Sequence, residues 1–134
     1  MLAATTEEEE EEEIMPYIHT LADIPEHARP VGKLKVLSGA QNMVFWGKLD
    51  AGTSAPRHSH PNEQITWLVA GRLKTAIGDA PATEVAAGQI MVIPAGVEHE
   101  TWYLTDCEIV EFFSPPRTDM FPTASAANPY AEGS

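Results

Sequence analysis

The stretch Gly52-Thr53-Ser54-Ala55-Pro56-Arg57-His58-Ser59-His60-Pro61-Asn62-Glu63-Gln64, closed after six more residues by Gly71, decides how this chain folds. Side chains two apart on a strand point to the same side, so His58 and His60 face one way. A second frame follows: Gly88, five residues, then Pro94-Ala95-Gly96-Val97-Glu98-His99. Gly52, Gly71 and Gly88 fall where strands turn, at positions that often need a positive φ. Pro94-Ala95-Gly96 supplies a fixed turn leading into His99. A one-residue slip would send the histidines to the opposite face, so these turns set the register on which the site depends. A lone histidine would more often satisfy a core hydrogen bond. Three in two matched frames point to an ion, with a side-chain oxygen completing the donor set. By its spacing to Gly71 that oxygen belongs to Gln64, and a local twist would bring in the adjacent Glu63 instead.

Outward from these frames the chain reads as short β-rich runs broken by turn residues. They span 34–37, 43–49, 65–69, 73–77, 84–86, 90–93, 100–104 and 108–113, with a short helical turn expected over 22–27. Strands so short and so regularly spaced imply an all-β sandwich or barrel, not a βαβ fold. The 134 residues, 43% of them hydrophobic, make one domain (14–134) after an acidic tail (1–13). The Pro-, Ala- and Ser-rich end from Pro115 is expected to wrap the surface.

The net charge is −12, of which seven charges are the run Glu7–Glu13. That run reads as a solvated tail, with an interaction arm as the sharper alternative. Acidity argues against nucleic acid, whose phosphates call for Lys and Arg patches, and weakly against anionic membranes. No apolar stretch is long enough to cross a bilayer. The start lacks the basic-then-apolar order of a signal peptide, and one cysteine, Cys107, cannot close an internal disulfide. A cytoplasmic protein with a small-molecule substrate is the expectation.

A second segment carries chemistry: Glu111-Phe112-Phe113-Ser114-Pro115-Pro116-Arg117. Glu111 and Phe113 share one strand face and Phe112 takes the other. Two readings stand open. In one, this is an edge strand with a rigid cap, and Glu111 pairs with Lys74 or Arg72. In the other, Glu111 lies in the barrel as a general acid–base, Phe113 is a wall, and Arg117 anchors a carboxylate. With His99 facing in, Thr101 and Tyr103 share its side, so Tyr103 either donates a proton or fills space. Trp102 and Trp67 face away, and Arg57 faces solvent.

The two frames, with 16 residues between Gly71 and Gly88, resemble both motifs of the cupin superfamily over about residues 40–114. That resemblance implies a small double-stranded, jelly-roll-like β-barrel holding one divalent transition metal (Ni, Zn, Mn, Fe or Cu) on His58, His60, Gln64 and His99. The chain has Gln64 where the family usually has Glu, and Tyr103 where it usually has Asn. Neutral donors leave the ion a stronger Lewis acid and fit the two-histidine-one-carboxylate pattern of iron oxygenases poorly. His58–Gln64 and the 111–117 segment are together similar to cupins that linearise unsaturated uronates from pectin and alginate (the KdgF type). That likeness implies Glu111, Phe113 and Arg117 as the substrate set, with Glu111 replacing the usual Asp. The expected function is a metal-dependent lyase or isomerase on a small carboxylated or sugar-derived substrate. An iron or copper dioxygenase and a non-catalytic binding domain are the alternatives. A homodimer is expected, since small cupins commonly pair through edge strands and pairing hides those edges.

Overall fold

β-branched and aromatic runs between turn residues form ten strands in the computed structural model, which describes residues 17–120. The strands are β1 (His27–Arg29), β2 (Gly32–Ser38), β3 (Met43–Leu49), β4 (Ser54–His58), β5 (Glu63–Ala70), β6 (Arg72–Ile77), β7 (Thr83–Ala86), β8 (Ile90–Ile93), β9 (His99–Tyr103) and β10 (Cys107–Ser114). A six-stranded sheet has the order β1-β2-β3-β10-β5-β8 and a four-stranded sheet the order β4-β9-β6-β7, with every pairing antiparallel. The acidic run Glu7–Glu13 and residues 121–134 lie outside the described residues. No helix among those described is long and apolar enough to cross a membrane.

All eight expected runs are strands, and two more join them. β4 escapes sequence reading because Pro56 interrupts it. It lies at the edge of its sheet, where a missing backbone N–H is tolerated, and its pairing with β9 shifts between Ala55 and His58. The helical turn expected over 22–27 is a 3-10 turn at Leu21–Asp23. Pro25 cannot continue a helix, and His27 opens β1 against β2.

β10 is not an edge strand. It sits between β3 and β5, where Ile109, Glu111 and Phe113 all face the interior. Along the β5–β10 pair the inward partners run Gln64 with Phe113, a rung of Thr66 with Glu111, then Leu68 with Ile109. The inner wall thus passes from polar to apolar within a few residues. Its apolar end is the core of Leu34, Leu49, Leu68, Leu73 and Ile109, with Cys107 packed there as a small hydrophobe. The two sheets join at Gly71, whose φ is +92° and where an added Cβ would lie 2.3 Å from the Asp106 carbonyl oxygen. Gly52 and Gly88 also take the positive φ expected of them, +83° and +90°.

Candidate metal centre

β4, β5 and β9 bring the two sequence frames together. His58 pairs directly with His99 across β4 and β9. The Gly96 N–H donates to the His60 carbonyl at 2.8 Å, tying the second turn to the first motif. The imidazole centroids lie 4.3–5.7 Å apart, and one ligand nitrogen from each histidine falls within 4.8 Å of the others.

Hydrogen bonds fix the tautomer of all three rings. His58 Nδ1 donates to the Pro56 carbonyl at 2.7 Å, His60 Nδ1 to the Asn62 carbonyl at 2.9 Å, and His99 Nδ1 to the Val97 carbonyl at 2.9 Å. A carbonyl oxygen only accepts, so each Nδ1 carries a proton, and in the neutral ring it is Nε2 that presents a lone pair. His99 Nε2 is buried with no hydrogen-bond partner. His60 Nε2 lies 3.0 Å from Gln64 Oε1, which is also an acceptor. Burial holds His60 and His99 below the ordinary imidazole pKa, with Arg117 adding to the effect, so protonation does not resolve this contact. Four electron-pair donors converge with no proton among them. Such a set fits a divalent transition metal, and backbone carbonyls orienting the ligand histidines are the usual support of a metal site.

Gln64 has its amide direction set from behind. Its Nε2 donates to Thr66 Oγ1 at 2.9 Å and to Glu111 Oε2, while Thr66 Oγ1 donates to the same Glu111 oxygen at 3.0 Å. Flipping the amide would break both donations, so the oxygen is the atom that faces the histidines. Glu63 points to solvent and takes no part. Glu111 is buried, and its carboxyl is pushed up to about 7 by burial, against the lowering pull of Thr66 and Arg117. Arg72 pairs with Glu84, so the sequence reading that joined Glu111 to Lys74 or Arg72 is corrected: β10 is interior, beyond the reach of those exposed β6 side chains.

His58, His99, Gln64, Thr66 and Glu111 line one chamber of about 570 Å³. Phe113 stands edge-on to His60 at 5.6 Å, and the Arg117 guanidinium lies over the Phe113 ring at 5.2 Å. Arg117 is held by Asp119, with Nε to Oδ1 at 3.2 Å and Nη2 to Oδ2 at 2.6 Å, and the neighbouring guanidinium lowers the Asp119 pKa. Tyr103 lines the far end of the chamber opposite Leu73, with its phenol pKa raised by burial. Thr101 lines it too, whereas Trp67 lies on the outer face. Arg57 is exposed, as expected, and from there it pairs with Glu98 and donates to the Gly78 carbonyl, bracing the turn before His99. Thr66, Arg29 and Asp119 were not found from sequence. Only Thr66 left a signal there, as the inward position two beyond Gln64.

Fold and site define a small β-barrel with a histidine cluster at one end of its interior. The cupin domain model matches residues 45–113, more than half of the chain, and the chain belongs to that family. An uncharacterised protein of Streptomyces coelicolor is 34% identical over 71 residues, covering 52% of this chain and 67% of its own length. KdgF from Halomonas sp. superposes with a TM-score of 0.69 at 23% identity, over 76% of this chain and 97% of that one. An RmlC-like cupin from Shewanella frigidimarina gives 0.71 at 22% identity, over 77% and 94%. Oxalate decarboxylase from Bacillus subtilis gives 0.65 at 15% identity, over 72% of this chain and only 29% of that one.

Proposed function

We propose that this cupin is a metal-dependent lyase or isomerase acting on a small carboxylated substrate, with uronate ring opening as its most concrete form. One observation carries the reading: the metal-facing oxygen of Gln64 and the carboxylate of Glu111 are two ends of one hydrogen-bonded unit in a shared chamber. A divalent metal on His58, His60, His99 and Gln64 would supply Lewis acidity toward a substrate hydroxyl or carbonyl. Glu111 takes or gives the proton. It is buried, lines the chamber, and has its carboxyl pKa pushed up toward the range where general acids and bases work. Arg117 grips the carboxylate, since Asp119 occupies its Nε side and leaves the Nη1 side for a ligand. Phe113 fixes the guanidinium from below, and Tyr103 offers a neutral hydroxyl at the far wall. The structural likeness to a protein named KdgF supports the uronate assignment, as does the similar 111–117 run.

The test is turnover of an unsaturated uronate by metal-loaded protein, followed by loss of the ring-form signal. Glu111→Gln is expected to abolish turnover while leaving about one metal per chain in place. Substrate loss that consumes oxygen would overturn the reading in favour of a dioxygenase. Ligand binding without turnover would leave a binding protein.

A further inference from the structure

The chamber has a second cation at its rim that the reading above does not use. Arg29, on β1, lines the same chamber as Arg117. Its Nη2 donates to the Met120 carbonyl at 3.4 Å, and the Met120 N–H donates to the Arg117 carbonyl at 3.1 Å. One 3-10 turn, Thr118–Met120, thus ties both arginines to a single stretch of rim.

Arg29 differs from the other arginines in its company. Arg57 is paired with Glu98, Arg72 with Glu84 and Arg117 with Asp119. Among the described residues Arg29 has no carboxylate within ion-pair distance. Glu111 is the sole carboxylate lining the chamber among the described residues, and it is engaged by Gln64 and Thr66. The mouth is therefore a cationic spot on an acidic molecule, the arrangement that concentrates an anionic ligand by focusing the field.

We propose that the chamber takes a small organic dianion, with one acidic group on the free side of Arg117 and the second on Arg29. The inference rests on the reading of Arg117 as a carboxylate anchor and narrows the carboxylated substrate class to diacids, ahead of a uronate with a single carboxylate. A ligand with one carboxylate leaves Arg29 hydrated and gains nothing from it. A second carboxylate on the same ligand exchanges that hydration for a charge-assisted contact.

Titration calorimetry on metal-loaded full-length protein tests this, with succinate and glutarate set against butyrate and valerate. The dicarboxylates are expected to bind about tenfold more tightly than the monocarboxylates of similar length, and the preference should shrink at high salt. Arg29→Gln should remove the preference by weakening dicarboxylates far more than monocarboxylates, while Arg117→Gln weakens both classes alike. Equal binding of the two classes, or a preference that survives Arg29→Gln, overturns the second subsite and leaves the Arg117 anchor standing. Binding of neither class, with metal content intact, overturns the anchor and the subsite together.

Discussion

At the scale of single residues, the most informative exchange is Gln64 for the more usual glutamate. Its amide serves two neighbours of opposite demand: the oxygen faces the imidazole lone pairs, and the nitrogen donates to Glu111. Gln64→Glu would remove the donor and set two carboxylates against each other in a buried site. We expect it to cost about 1–3 kcal/mol in metal-free protein, measured by urea denaturation. Adding Glu111→Gln should recover much of that loss, because it restores one donor between the two positions. Equal losses in the single and double variants would mean that the contact contributes little. Gln64 and Glu111 are thus best understood as a pair. The sequence showed both residues, but not their contact, which spans 47 positions and exists only once β10 lies beside β5.

Turns and strand register do the positioning at the scale of elements. Gly71 joins the two sheets with a backbone that places a hypothetical Cβ against the Asp106 carbonyl. Gly71→Ala is expected to destabilise by about 2–4 kcal/mol, from positive-φ strain together with this clash. Chemical denaturation should show a lower midpoint with an unchanged slope. The β9 strand places His99, Thr101 and Tyr103 on one inward face, so alternation alone was enough to read them. Alternation also put Trp67 on the face opposite Gln64, as β5 has it. It failed for β4, where a proline at a sheet edge removes the pattern that sequence reading relies on. It was also silent on whether β10 lay at an edge or in the middle, because a strand's neighbours are chosen by the whole sheet.

For the molecule as a whole, the metal is expected to act as a folding ligand as well as a chemical one. With free metal at about 100 times its Kd, the native state gains roughly 2.7 kcal/mol. Chelation should therefore lower Tm by about 10 °C, and His99→Ala should erase that difference along with the bound metal. A Tm indifferent to chelator would show that the histidine cluster is not loaded. The outer face of the six-stranded sheet carries Trp67, Ile90, Val92 and Phe112, exposed at 44–62%, and Ile65 bridges them by register with Phe112 and Val92. A contiguous apolar face beside the edge strand β8 is suited to a second copy of the chain. Sedimentation should give a dimer, and Ile90→Lys with Val92→Lys should give a monomer; a wild-type monomer would leave that face solvent-exposed. By itself the sequence determined the all-β class, the family and the cluster of His58, His60 and His99 with Gln64 beside it. Period-two alternation and glycine turns are local rules, and they already fix which side chains face inward. Only the tertiary structure decided that Glu111 meets Gln64, that Asp119 braces Arg117, and that Arg29 shares its rim. Those contacts depend on which strands become neighbours, and that is settled by burying the whole barrel interior at once.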